Sequence, residues 1–254
     1  MALYTDGPPS SMEDLAAQDS QLLSVASSEG IDVTEKLELA HEEIGIELYG
    51  LLNRMRPEAH LVWISVRRNL ASVVVTRPLK LWHTYRTLER VYADAYNSQL
   101  NDRYAGKRDQ FHGLAKDAYD KLVSAGVGMV ASPVPRPGRP SVGGAPGDLP
   151  DNLYYVTTTW MNQGNEEGAP APMCSIVTAS STFLVQPDGA PPGVAGWNVY
   201  VGTAADCLIL QNESRLPTGS AWVQTAPIAS TGRKLGQGQA PAYHQAASRM
   251  LQRG

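Results

Sequence analysis

The segment His41-Glu42-Glu43-Ile44-Gly45 begins as a zinc-protease helix does. In such a helix two histidines four residues apart share one face and hold the metal, while a glutamate beside the first acts as base. The second histidine would stand at position 45, where this chain has Gly45, so one ligand is missing and the reading ends. His60, His83 and His112 fall in the same half with no cysteine or nucleophile beside them, and His244 lies near the C-terminus. They read as surface or core-edge histidines. Val142-Gly143-Gly144-Ala145-Pro146-Gly147 lacks the Lys-Ser/Thr that follows a phosphate-binding loop, and Gly236-Gln237-Gly238 lacks the flanking strand and helix. Cys174 and Cys207 sit in apolar, strand-like runs and read as buried free thiols, with a bridge between strands as the alternative. The expectation is a protein without catalytic residues, cofactor or metal site.

What remains is interaction chemistry, and the charges are distributed for it. The chain carries 21 basic and 25 acidic residues, net −4, the wrong balance for a domain whose main task is gripping phosphates. Acids crowd 29–47 (Glu29, Asp32, Glu35, Glu38, Glu42, Glu43, Glu47) against Lys36 alone. Bases crowd 54–90, and 233–254 holds Arg233, Lys234, Arg249 and Arg253 with no acid. Such runs are solvated helix faces or, more sharply, an acidic face on one copy meeting a basic face on the next, an arrangement able to close into a ring. Glu38, Glu42, Glu43, Glu47, Arg86, Arg90 and Arg103 are the candidate residues for a subunit interface or a lumen. Trp82, Tyr85, Tyr92, Tyr96 and Tyr104 add the aromatic types that dominate interface hot spots, although core packing claims such residues as often.

The elements that position these residues fall into two halves, an α+β organisation. Residues 10–26 read as a helix capped by Ser11. Asp32 with Glu35 resembles a capping box, and Leu37, Ala40, Ile44, Leu48, Leu51 and Met55 then recur at helical spacing. The segment 60–76 fits short strands or an apolar loop. Leu81, Tyr85, Leu88, Tyr92 and Ala95 line a further helix, as do Phe111, Leu114, Ala115, Ala118 and Leu122, the latter ending at Gly126. Residues 1–130 are thus expected as a bundle of three to four helices. The Pro- and Gly-rich stretch 131–150 reads as a linker, because it has too little apolar bulk to offset its ordering entropy.

From 151 to 230 the period becomes two. Six short β-branched and aromatic runs (153–161, 173–178, 182–186, 197–201, 207–211 and 221–224), separated by turn signals, imply an antiparallel β-sandwich. Residues 231–254 read as a basic extended tail. No run approaches the roughly 20 apolar residues of a membrane span. Residues 1–30 hold no Lys or Arg, unlike a signal peptide.

The run Val73-Val74-Val75-Thr76-Arg77-Pro78-Leu79-Lys80-Leu81-Trp82-His83-Thr84-Tyr85, continuing through Val91-Tyr92-Ala93-Asp94-Ala95-Tyr96 to Asp102-Arg103-Tyr104, resembles head-to-tail adaptor (connector, neck) proteins of tailed bacteriophages. Gly126-Val127-Gly128-Met129 and Pro133-Val134-Pro135-Arg136 look like their helix exit and linker. Tyr154-Tyr155-Val156-Thr157, Glu167-Gly168-Ala169-Pro170 and Gly196-Trp197-Asn198-Val199-Tyr200-Val201-Gly202 are similar to fibronectin type III-like modules of phage structural proteins.

The resemblance implies a virion protein with no enzymatic activity, made in the host cytoplasm. It would form a ring homo-oligomer, a dodecamer, under the portal protein, extend the channel through which double-stranded DNA passes, and receive a tail or nozzle protein. It also implies that the C-terminal tail, with Tyr243, His244, Arg249, Met250, Leu251 and Arg253, reaches the portal. The alternative is a fibre or surface-binding protein whose β module grips host carbohydrate or protein through aromatics exposed on its loops. A third reading is a cell-wall hydrolase, which needs a cleft where His and carboxylates converge.

Overall fold

The structure, a computed structural model, describes residues 1–55, 69–99 and 102–245. The chain is α+β, with helices in the N-terminal half and antiparallel sheets in the C-terminal half. It divides into a helical unit, 4–131 with 241–254, and a β unit, 1–3 with 132–240.

In the helical unit the first expected helix is two: α1 (Met12–Gln18) and α2 (Leu22–Glu29). The break lies at Asp19, whose backbone is extended and whose carboxylate accepts from the Gln21 amide at 3.1 Å. A short acid that captures a nearby amide offers the backbone an alternative to the helical ladder. The reciprocal capping box occurs at Ser11 and Asp14. At α3 (Val33–Arg54) the Asp32 side chain instead accepts from both Thr34 and Glu35 amides, at 2.8 and 3.2 Å. Asp32→Ala removes both bonds and should cost the helical unit about 1 kcal/mol, read from its denaturant midpoint at unchanged slope.

Residues 56–68, which hold most of the segment with two possible readings, lie outside the described residues; from Leu70 to Ser72 the chain makes one 3-10 turn. Then α4 (Arg77–Gln99) and α5 (Ala105–Ala125) form a hairpin, and Gly126 ends α5 at φ +93°, a backbone region that L side chains rarely adopt. Two clusters hold this unit together. Ile44, Leu48, Leu51 and Leu52 of α3 meet Leu79, Trp82, Ala118 and Leu122, while Leu15, Leu22 and Leu37 meet Leu88, Val91, Tyr92 and Phe111.

The stretch 131–150 is not a free linker. Ser141–Ala145 forms β2, and Val134 and Leu149 are buried in the β unit's core. Local composition misleads here because β2 takes its hydrogen bonds from β5 (Thr182–Gln186) and sits at a sheet edge, where Pro and Gly are tolerated. The remaining strands are β3 (Asn152–Met161), β4 (Cys174–Thr178), β6 (Gly196–Gly202), β7 (Ile209–Leu210) and β8 (Trp222–Val223). They build a three-stranded sheet, β2-β5-β8, and a four-stranded sheet, β4-β3-β6-β7. One core serves both, with Phe183 and Val185 from the first and Tyr154, Val156, Trp160, Trp197, Val199 and Val201 from the second.

Up to Gln245, the expected extended tail is also bound at several points. The Leu210 amide donates to the Arg233 carbonyl and the Leu235 amide to Leu208, which extends the β7 edge. Gln239 is buried, accepting from the Val134 amide and donating to the Ser132 carbonyl, both at 2.8 Å. Ala242–His244 then forms β9, antiparallel to β1 (Val127–Met129) in the helical unit. The backbone of β1 supplies β9 with its hydrogen-bond partners, which a glycine-rich sequence does not advertise.

Candidate interaction surfaces

The seven charged residues expected at an interface separate into two groups. Glu43, on α3, accepts from Arg86 Nε at 3.1 Å and Arg90 Nε at 2.8 Å, and its second oxygen pairs with the Arg90 guanidinium. Arg86 also reaches Glu89 at 2.9 Å, and His112 Nδ1 lies 2.9 Å from the other Glu89 oxygen. Acidic α3 and basic α4 are therefore already engaged with each other inside one chain. The opposite-sign runs expected to meet between copies thus meet, at Glu43, Arg86 and Arg90, within one chain. Glu38, Glu42 and Glu47 remain exposed, and Arg103 is exposed with its guanidinium 5.5 Å from the Tyr104 ring centroid.

The aromatics divide similarly. Trp82, Tyr92 and Tyr104 are buried, Tyr85 and Tyr96 half-buried. The Tyr92 hydroxyl donates to Asp19 at 2.5 Å, and Lys107 Nζ stands 3.2 Å from the same carboxylate. Desolvation pushes the Asp19 carboxyl up, but the Tyr92 hydroxyl, the Gln21 amide and Lys107 together outweigh it and hold the group below its ordinary range. Sequence reasoning missed Asp19 because its partners are 73 and 88 residues away.

Of the tail residues, Tyr243 is 55% exposed and His244 half-buried, both in β9. Arg249, Met250, Leu251 and Arg253 lie outside the described residues, as does His60.

Two constellations invite a chemical reading. Ser10 Oγ is hydrogen-bonded to His83 Nδ1, the contact of a nucleophile with its base, and His83 Nε2 lies 3.1 Å from the Leu37 carbonyl. The serine is only 4% exposed and the histidine 0%, so no substrate reaches the pair. Its effect is to tie the N-terminal segment and α3 to α4. His41 belongs to the same group: its ring stacks on Tyr4 at 4.3 Å and meets His83 edge-on at 6.2 Å, and its buried Nδ1 has no hydrogen-bond partner.

The second constellation lies in the β unit. Glu167 Oε1 accepts from Thr159, from Asn198 at 3.1 Å and from the Tyr200 hydroxyl at 2.8 Å, while Oε2 accepts from Arg233 at 2.7 Å. Burial, and then the adjacent carboxylate, push the Tyr200 hydroxyl's pKa up. The carboxylate's acceptor sites are filled by the protein's own donors, so the cluster clamps the 162–172 loop and the Arg233 segment onto the sheet face opposite the core. The sequence marked Glu167 only by its place in a turn and in the fibronectin-like run Glu167-Gly168-Ala169-Pro170, neither of which pointed to a carboxylate hub.

A shallow cavity of about 450 Å³ lies against the start of α3, lined by Glu29, Asp32, Glu35, Lys36, Asp94 and Ser98. Lys36 pairs with Asp94 at 2.5 Å and Glu29 accepts from Ser98 and Tyr104, so part of its charge is already neutralised. Both cysteines are free. Cys174 is buried, as expected, but Cys207 is exposed because the strand expected over 207–211 shortens to Ile209–Leu210.

The chain matches no family model, no curated protein and no solved structure. Among the described residues, the exposed large apolar side chains include Ile46 and Tyr49 on the outer face of α3, Leu23 and Tyr243 elsewhere in the helical unit, and Leu153, Met173, Val177 and Val223 on the β unit.

Proposed function

We propose that the chain is a structural head-to-tail adaptor of a tailed phage particle, forming a ring under the portal that extends the DNA channel and offers a docking surface to the tail. The observation that carries the reading is the run from Val73 to Tyr104, whose likeness to connector proteins is the most specific signal in the sequence. That run is also the centre of the helical unit: α4 packs against α1, α2, α3 and α5.

The charge arrangement supports the same reading. Each phosphate neutralised by a Lys or Arg adds affinity, and a channel that grips DNA would slow its passage. Arg86 and Arg90 are occupied by Glu43 and Glu89, so neither cation is left to grip a passing phosphate.

The β unit is read as a fibronectin type III-like module, supported by its two antiparallel sheets around one tryptophan-rich core. The fibre alternative asks for aromatics exposed on the loops of this unit, and every aromatic there is buried or half-buried.

The test is to isolate the particle's neck and image it by cryo-electron microscopy. The adaptor reading expects this chain as a closed ring between portal and tail. A neck that lacks the chain, or a purified chain that remains a monomer or trimer with portal present, overturns it.

A further inference from the structure

On the side of α3 turned away from its buried residues, Glu35, Glu38, Glu42, Ile46, Tyr49 and Asn53 follow one another at spacings of three and four, all exposed. Ile46 is 74% and Tyr49 57% exposed, and two large apolar side chains adjacent on a helix face are an uncommon thing to leave in water. The stripe is acidic toward the N-terminus of α3 and apolar toward its C-terminus. The chain supplies a complementary segment, Arg249-Met250-Leu251-Gln252-Arg253, in which two cations flank two apolar residues and no acid occurs.

Backbone pairing shows where that segment departs. The Tyr4 amide donates to Val73 at 2.8 Å, the Val74 amide to Gly128 at 2.9 Å, and β1 pairs with β9, so four backbone segments lie side by side in the order Tyr4, Val73, β1, β9. Three steps of about 4.8 Å separate β9 from Tyr4 by about 14 Å. Tyr4 lies on α3, its ring stacked on His41, and a packed segment sits about 8–10 Å from a helix axis. Gln245, just past β9, is tied to Ser124 at the end of α5. Met250 and Leu251, six and seven residues beyond His244, span at most about 20–25 Å when fully stretched. In its own chain the segment would use its whole reach to arrive at the α3 stripe, with nothing left to lie along it.

We infer that the outer stripe of α3 docks the C-terminal segment, residues 246–254, of a second copy of this chain, Arg249 and Arg253 meeting Glu38 and Glu42 while Met250 and Leu251 cover Ile46 and Tyr49. The contact is heterologous, so it repeats from copy to copy and closes into a ring if the rotation allows. It names the subunit contact of the adaptor reading, takes for that contact the Arg249, Met250, Leu251 and Arg253 that the resemblance sends to the portal, and rests on that reading only for the ring, not for the pairing itself.

The test uses the full chain with Cys207→Ser, which removes the exposed thiol. Ile46→Cys chains mixed with Leu251→Cys chains should form disulfide-linked dimers under mild oxidation, and the double variant should form a ladder. Tyr49→Ala should weaken self-association by about thirtyfold in sedimentation, the size of a hot-spot truncation. Glu38→Arg with Glu42→Arg should abolish association, and Arg249→Glu with Arg253→Glu in the same chain should restore it. No intermolecular link, or a double variant that closes on itself as a monomer, overturns the inference. A ring in the neck without this link leaves the adaptor reading standing and removes this contact; the link in a protein absent from the neck does the reverse.

Discussion

Glu167→Ala should lower the unfolding transition of the β unit by about 10–20 °C, the consequence of losing about 3–5 kcal/mol in a unit of this size. The side chain is 16% exposed and is the common acceptor for Thr159, Asn198, Tyr200 and Arg233. Thr159, Asn198 and Tyr200 are almost wholly buried, so truncation leaves their donors without an acceptor and without water. Arg233 is 49% exposed, and its pairing with Glu167, screened by solvent, contributes the smaller part. Glu167→Gln keeps an acceptor oxygen and the shape of the side chain, and should recover roughly half the loss. Calorimetry with each variant reads both effects, and a Glu167→Ala transition within a degree or two of wild type would mean that the clamp contributes nothing. The Arg233 segment and the 162–172 loop, held down by this carboxylate, should lose amide protection before the core strands.

Acidification should destabilise the helical unit in a defined window. His83 is fully buried between the Ser10 hydroxyl and the Leu37 carbonyl, and burial drives its pKa from 6.5 down to about 4, with the Leu37 hydrogen bond opposing. His41, 6.2 Å away, is lowered in the same direction by burial against the opposing pull of Glu38 and Glu42. Asp14, itself 2.8 Å from Lys80, acts on His83 in the upward sense.

A histidine whose folded pKa is depressed binds its proton more readily when unfolded. Its contribution is therefore fully present above pH 6.5, declines as the pH falls from there, and is gone once the folded form protonates near pH 4. A drop from 6.5 to about 4 corresponds to about 3 kcal/mol at most. His83→Gln offers an acceptor to Ser10 and a donor to Leu37 without titrating, so it should flatten the stability profile between pH 6.5 and 4. Equilibrium denaturation at half-unit pH steps measures this. A wild-type profile with no slope in that window would refute the assignment.

How much of this was legible in the sequence follows from the range over which each feature is determined. The capping of α1 and α3, the apolar stripes of α3, α4 and α5, and the glycine stop at Gly126 all depend on residues within about four positions, and each is readable in the sequence. The alternation in β3 and β6 was readable for the same reason. The acidic run of α3 and the basic run of α4 were visible too, but not that Glu43 would spend itself on Arg86 and Arg90 of the same chain.

Local sequence determined the helices, most of the strands and the two-part α+β order, because a repeating period needs only neighbouring residues to declare a buried face. Tertiary structure alone decided that β2 would form in a Pro- and Gly-rich stretch, that β9 would return to the helical unit, that Asp19 and His83 would become buried hubs, and that Glu167 would become a half-buried one. In each of those cases the stabilising partner is distant along the chain, and a hydrogen bond between residues 73 or 117 positions apart leaves no periodic trace in either segment.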